Sequence, residues 1–500
     1  MLTARRSRRR TSGGKAVKEF LLLENLMTKT ETVKTFSCGV IENSSHDVVA
    51  PNDISISQHS TPLFIEHIRQ GAKPRSEFLC GLECELFGYD VKTLERLNQH
   101  QVADVLKNLS TTENDLYFEN GILAESKLKE GGRLTLEPGG QIEFSSAPRK
   151  SLNEIEKDYK NFLSRLKNFS DERGFTFLAI GFDPLRKIAE QNWYPKPRYE
   201  VMRPYLATRG ARAWDMMTRT AGIQVNLDYD SEEDLRKKFI AGNLLAPIVT
   251  AMFANSPFEN GKPSGYKSTR LAAWLQTDDE RSGISPIAFN KNFTIEDFVA
   301  YALDVPMLFT RREDSYFNKE TGTPFKKYLE QSRNGSSPIF QDFTDHLTTI
   351  FTEARLKQYI ELRSMDCGNF EMVLAAQALW KGLLYDKNSL NEALRLAPQL
   401  NQNEMRVLQE KVLRDALNAK HEGVDVLGLA KQIIEIAEKG LQRIAPDETK
   451  YLELLKQQVI EDEVCSADIL IKNWNGSIEK VIESSAVTPS GVISSQKNHA

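Results

Sequence analysis

Gly81-Leu82-Glu83-Cys84-Glu85-Leu86-Phe87 alternates apolar and acidic residues with a period of two. On a β-strand that spacing sends Glu83 and Glu85 to one face and Leu82, Cys84 and Leu86 to the other. The pattern returns in Arg133-Leu134-Thr135-Leu136-Glu137, where the leucines oppose Arg133, Thr135 and Glu137. Beyond Pro138-Gly139-Gly140 it resumes, with Gln141 and Glu143 opposite Ile142 and Phe144. Gly222–Asp228 sets Gln224, Asn226 and Asp228 against Ile223, Val225 and Leu227, and Tyr359–Arg363 sets Glu361 and Arg363 against Ile360 and Leu362. A half-solvated antiparallel sheet alternates in the same way, but its wet face favours Thr, Lys and mixed charge. Here the polar positions are mainly Glu, Gln and Asn, which strands disfavour. Several carboxylates on one face repel each other unless divalent cations neutralise them. Oxygen-only donors suit Mg²⁺ or Mn²⁺, and Mg²⁺ commonly bridges carboxylates to nucleotide phosphates. The expectation is an open sheet whose polar face carries Mg·ATP.

Outward from these strands, the chain mixes strands and helices without regular βαβ alternation, which predicts an α+β protein rather than a doubly wound parallel sheet. Helical spacing covers 152–174, 231–253 and 341–352, and helices dominate from Asn391 to Ile471. Residues 1–60 read as a flexible arm, 61–390 as the catalytic domain, 391–471 as a helical region packed on it, and 472–500 as a loose tail. The arm opens with the basic cluster Arg5, Arg6, Arg8, Arg9 and Arg10; it reads as a leader or as sequence upstream of a start at Met27, with an organelle-targeting peptide as the second reading.

Composition narrows the class. Of 500 residues, 40% are hydrophobic and 27% charged, with a formal net charge of −4, which gives no electrostatic case for nucleic acid as partner. No apolar run reaches the roughly 18 residues of a membrane span; the longest stretch is Leu244–Ala254. Five scattered cysteines form no disulfide framework, so the expected compartment is the cytoplasm. Gly261-Lys262-Pro263-Ser264-Gly265-Tyr266-Lys267-Ser268 resembles a phosphate-binding loop, but its spacing is wrong and Pro263 interrupts it. Arg270, Arg281, Arg355, Lys357 and Arg363 lie near the polar strands in sequence, and guanidinium forks suit carboxylates and developing phosphoryl charge.

Gly81–Gly88 (GLECELFG), Leu136–Pro148 (LEPGGQIEFSSAP), Asp215–Asp228 (DMMTRTAGIQVNLD), Phe253–Gly265 (FANSPFENGKPSG), Ala302–Met307 (ALDVPM) and Leu347–Asp366 (LTTIFTEARLKQYIELRSMD) together resemble the plant-type glutamate–cysteine ligases. Leu379–Asp386 (LWKGLLYD) continues the likeness, which runs from about residue 78 to 440. The resemblance implies a glutamine-synthetase-like fold: a curved, mainly antiparallel sheet forming a half-open funnel, backed by helices. It implies ATP-dependent joining of the γ-carboxylate of L-glutamate to the amine of L-cysteine through an acyl phosphate, on the way to glutathione or a related thiol.

Carried over position by position, the resemblance makes Glu83, Glu85, Glu137, Glu143 and Glu361 metal ligands and Gln224 and Asn226 metal or nucleotide contacts. It makes Arg270 a substrate-carboxylate ligand and Arg363 a stabiliser of transferring phosphate charge. Arg355 and Lys357 join the nucleotide contacts. The family's opening strand resembles G-x-E-H-E-K-F-G, whereas Cys84 and Leu86 stand here in place of the histidine and lysine. Leu206–Trp214 also departs, and Leu308 stands where an aromatic is usual. These departures are expected in the substrate pocket, with Trp214 and Leu308 lining it, and they leave another amine acceptor open. A small-molecule phosphotransferase or a non-catalytic binding relative stands further off, and a monomer or a homodimer is expected.

Overall fold

The computed structural model describes residues 51–330 and 337–487. Nine strands build one sheet: β1 (Cys80–Asp90), β2 (Leu116–Glu119), β3 (Ile122–Lys127), β4 (Arg133–Leu136), β5 (Ile142–Ser145), β6 (Phe175–Leu178), β7 (Gly222–Leu227), β8 (Ala354–Leu356) and β9 (Ile360–Asp366). Their order is β8-β9-β7-β1-β5-β4-β3-β2, with β6 pairing the far end of β1, and every pairing is antiparallel. The expected α+β architecture around an antiparallel sheet is the one observed.

The alternation sorts the faces as read. Leu82, Cys84, Leu86, Ile142, Phe144, Ile223, Val225, Ile360 and Leu362 are all buried on the back of the sheet. Helix α1 (Leu152–Arg173) covers part of that back. Ser151 caps it with a reciprocal Glu154 bond, and Gly174 ends it at φ 69, a left-handed conformation that glycine adopts without steric cost. Its apolar stripe includes Tyr159 and Phe162; the Phe162 ring stacks on Phe144 with centroids 4.7 Å apart.

Helix α2 (Pro197–Leu206) reaches the end of β4 through Tyr199, α3 (Glu232–Leu244) and α4 (Ala246–Met252) back β8 and β9, and α5 (Thr269–Trp274) borders the start of β7. Helix α6 (Phe370–Tyr385) packs behind β1 and β7, and α7 (Val426–Ile444) lies on α6 in a second helical layer. The two backbones meet at Gly382 and Gly440: a Cβ on Gly440 would come within 2.0 Å of the Gly382 carbonyl oxygen. Only a residue without a side chain permits that approach.

Three local expectations change. The helix expected over 231–253 breaks at Leu245, because Pro247 in the first turn of α4 has no N–H to continue the ladder. The helix expected over 341–352 stops at Leu347, and Phe351–Thr352 instead pairs with Ser282–Gly283. Ile478–Ser485, within the stretch expected to be loose, is a helix with Val481 and Ile482 buried. The arm expected over 1–60 lies outside the described residues up to residue 50; within 51–60, Ser55 pairs with Ile339 and Ile56 is buried. No helix among the described residues is long and apolar enough to cross a membrane.

Candidate active site

The register turns separate strands into one polar surface. Glu85 stands opposite Glu143, Glu83 opposite both Ser145 and Gln224, and Glu361 opposite Asn226. Next to Glu143 on β4 is Thr135, whose hydroxyl donates to the Glu143 carboxylate at 2.6 Å. Glu137 follows β4 in a turn closed by Gly140 N–H donating to the Glu137 carbonyl at 2.8 Å. Glu85 accepts the Gly222 N–H at 2.6 Å, and Glu83 accepts the Asn226 amide at 2.9 Å.

These carboxylates crowd one another without a full set of cations. Burial, reinforced by the Glu361 and Glu143 charges, pushes the Glu83 carboxyl up to about 7. Burial and the neighbouring Glu137 and Glu143 push Glu85 well above the usual range, and burial with Glu137 raises Glu143.

The opposite situation holds on β9, two strands from β1 and three from β5. Glu361, fully buried, takes Arg355 Nε at 3.1 Å and Nη2 at 2.5 Å, Lys357 Nζ at 2.8 Å, and Arg363 Nη1. Burial opposes its charge, but Arg355, Lys357 and Arg363 outweigh it and hold the Glu361 carboxyl well below the usual range. Gln224 joins the two halves: its carbonyl accepts from Arg363 at 2.6 Å while its amide reaches Glu143 at 3.5 Å.

Arg270 projects from α5 beside Gly222. Its helix is fixed by Asp366, which accepts from Ser256 Oγ at 2.6 Å, Ser268 Oγ at 2.9 Å and the Asn255 N–H at 2.9 Å. Arg270 Nη2 donates to the Arg363 carbonyl at 2.8 Å, whereas its buried Nε has no partner. Arg270 and Arg363 both lie against the Trp274 ring, 5.8 and 5.7 Å from its centroid, in a small cavity also lined by Glu353. Trp274 and Glu353 escape the sequence reading, because neither belongs to an alternating strand. A larger cavity of about 500 Å³, lined by Glu280, Tyr301, Arg406 and Gln409, meets the small one at Gly283. It lies off the acidic surface, so its size does not mark the chemistry.

Some expected residues fall elsewhere. Cys84 and Leu86 are fully buried on the back of the sheet, and Cys84 Sγ lies 3.5 Å from Tyr159 Oη; each being one residue along the strand from Glu83 or Glu85, they face away from the acids. Leu308 is 1% exposed in a core cluster with Met202, Leu206 and Met216. Trp214 is exposed and packs edge-on against Trp193, with Arg203 over both rings. Arg281 is fully buried on Asp278 at 2.8 Å and serves the interior.

Among the described residues no group of three or more His, Cys, Asp or Glu side chains is arranged as a metal cage. Mg²⁺ usually keeps waters and takes only one or two carboxylates beside phosphate oxygens. Glu83, Glu85, Glu137 and Glu143 fit that mode: none of them forms an ion pair among the described residues, and the buried Oδ1 of Asn226 next to Glu83 lacks a partner. Glu361 is already engaged by Arg355, Lys357 and Arg363, so a metal bound there displaces part of that set.

A family model described as glutamate-cysteine ligase family 2 matches residues 79–484. Glutamate–cysteine ligase A, chloroplastic, of Oryza sativa subsp. indica is 37% identical over 429 residues, 84% of this chain and 86% of that protein. The chloroplastic glutamate–cysteine ligase of Arabidopsis thaliana is 37% identical over 430 residues, covering 84% and 81%. A crystal structure of glutamate–cysteine ligase from Francisella tularensis in complex with AMP superposes with a TM-score of 0.51 at 13% identity, covering 86% of this chain and 88% of that one. That last likeness speaks for the fold alone. The plant relatives overturn the expectation of a cytoplasmic protein, since both are named as chloroplastic.

Proposed function

The chain belongs to glutamate-cysteine ligase family 2, and from that premise we propose that the polar face of β1, β5, β7 and β9 is where its ligation runs. It is a glutamate–cysteine ligase, an ATP-dependent enzyme forming the amide bond between the γ-carboxylate of L-glutamate and the amine of L-cysteine. The observation that carries the placement is the pairing of carboxylates Glu85 and Glu143, free of ion pairs among the described residues, with the cation cluster of Arg355, Lys357 and Arg363 on the same sheet face.

A carboxylate is a poor electrophile until one of its oxygens becomes a leaving group. A γ-carboxylate oxygen of glutamate attacks the terminal phosphorus of ATP, the bond to ADP breaks, and γ-glutamyl phosphate forms. The cysteine amine then attacks the acyl carbon, loses a proton, and inorganic phosphate departs. The protein's part is positioning and charge neutralisation. Glu83, Glu85, Glu137 and Glu143 would hold Mg²⁺, joined by Glu361 where the ion displaces part of its cation set; the ion supplies charge for the phosphate oxygens. Arg270, with an unused Nε beside Trp274, offers a fork for a substrate carboxylate. Arg363 is held between Gln224 and Glu361, ready to meet transferring phosphoryl charge. Arg355 and Lys357 contact the nucleotide phosphates, and Gln224 and Asn226 complete the polar floor.

The working body comprises residues 61–390 with the helices of 391–471 packed on it. Its partners are small molecules, with no nucleic acid or membrane, and it acts as a monomer or homodimer in a plastid. Incubation with Mg·ATP, L-glutamate and a panel of amines tests the reading. Cysteine-dependent ADP release matched by γ-glutamylcysteine is expected; folded protein with no glutamate-dependent turnover would refute it.

A further inference from the structure

Three lysines are buried among the described residues, and two have structural partners. Lys238 Nζ lies 2.7 Å from Asp234 and donates to the Asp228 carbonyl at 2.7 Å. Lys381 Nζ lies 2.6 Å from Glu448 and donates to the Lys150 carbonyl at 3.2 Å. The third, Lys196, is 9% exposed, and its ammonium has no hydrogen-bond acceptor or carboxylate within ion-pair distance among the described residues. Its stem is buried while its Nζ keeps access to solvent, so the ammonium is hydrated rather than paired and is free to take an incoming anion.

Its place is fixed by two tyrosines. Tyr194 donates through its N–H to the Pro138 carbonyl and through its hydroxyl to the Leu123 carbonyl, both at 2.7 Å. Tyr199, on α2, donates to the Leu136 carbonyl at 2.8 Å. Lys196 sits between them, its Nζ 5.7 Å from the Tyr199 ring centroid, with Glu137, Glu119 and Glu143 as its acidic surroundings. Arg198 follows: its buried Nε is also unpartnered, and its Nη2 donates to Thr348 Oγ1 at 3.3 Å. The Thr348 carbonyl in turn accepts from Arg355 Nη1 at 2.8 Å, so the cations of both ends of the surface share one anchor.

A bare anion would be repelled by Glu137 and Glu143. An anion that brings its own divalent cation would not, because the metal faces the carboxylates while free oxygens face the ammonium. We propose that Lys196 is a phosphate ligand for ATP, gripping an oxygen of the metal-bound polyphosphate on the side away from Glu137 and Glu143. This rests on placing ATP at the acidic face.

The test compares wild type, K196M and K196R. Without ligand, K196M should fold and melt close to the wild-type temperature, since the hydrated ammonium holds no hydrogen bond or ion pair; a structural lysine would give a markedly lower melting temperature or unfolded protein, and that overturns the proposal. In turnover, K196M should lose about 100-fold in kcat/KM for ATP while KM for cysteine stays unchanged, and K196R should recover part of the loss. K196M with wild-type turnover overturns it. If wild type itself releases no ADP, the ligase reading fails separately. Lys196 is then judged by the melting shift with Mg·ATP: a shift reduced in K196M supports the proposal, and an equal shift overturns it.

Discussion

Glu85 and Glu143 face each other directly across the β1–β5 ladder, with Thr135 donating to the second of them. Like charges at directly opposed positions weaken a sheet, and here both carboxyls are raised by burial and by acidic neighbours. A carboxyl whose folded pKa exceeds its unfolded value stabilises the fold at low pH and loses that contribution as pH rises through the folded value. At pH 7 the pair is therefore a cost. E143Q should stabilise the ligand-free protein by about 1 kcal/mol and lower kcat about 100-fold. Thermal melts and steady-state rates on one preparation check both, and a destabilised E143Q would contradict the account.

Glu361 behaves in the opposite sense. It neutralises Arg355, Lys357 and Arg363 from a fully buried position. Removing its charge leaves three cations uncompensated, so E361Q should cost about 3–5 kcal/mol, the range for breaking a buried pair. Its folded pKa is depressed, so its contribution is present above the unfolded carboxyl range and is lost as pH falls through the folded value. Urea unfolding of wild type and E361Q at pH 7 measures the loss.

His346 should contribute to the mild-acid behaviour alongside His67, whose pKa burial pulls down to about 4. The His346 Nε2 donates to the Ala302 carbonyl at 2.8 Å and its Nδ1 is buried without a partner, while burial pulls its pKa down to about 3. The folded state disfavours the protonated ring, so its stability contribution is full above the unfolded value near 6.5 and declines as pH falls towards 3. Between pH 7 and 5 this amounts to about 2 kcal/mol. H346Q should flatten that slope in denaturant midpoints followed against pH.

Cys84 marks the limit of motif comparison. Its departure from the family pattern lies on a back face against Tyr159. C84A should change KM for cysteine less than about twofold and cost about 1 kcal/mol of stability. A large shift in amine preference would return the departure to the substrate pocket.

The period-two alternation made the polar face and its acids legible, because side-chain direction on a strand is fixed by the backbone. Register was not legible: nothing in the chain says that Glu85 meets Glu143, since that depends on β5 returning beside β1 rather than on either segment alone. Arg270 was found by resemblance, but Trp274 and Glu353 beside it, and Lys196 across the surface, come from short helices and connections without periodicity. Trp214 and Leu308 stand where the chain departs from the family pattern, yet a departure carries no information about which way a side chain faces. The 231–253 expectation follows the longer apolar run and passes over Pro247, whose local rule prevails at Leu245.

The central claim is that glutamate is activated as an acyl phosphate before the amine attacks. Turnover with L-glutamate carrying ¹⁸O in both γ-carboxylate oxygens, with phosphate and γ-glutamylcysteine analysed by mass, tests it most directly. One ¹⁸O should appear in each released phosphate and one remain in each amide product. Unlabelled phosphate alongside normal product would contradict the account.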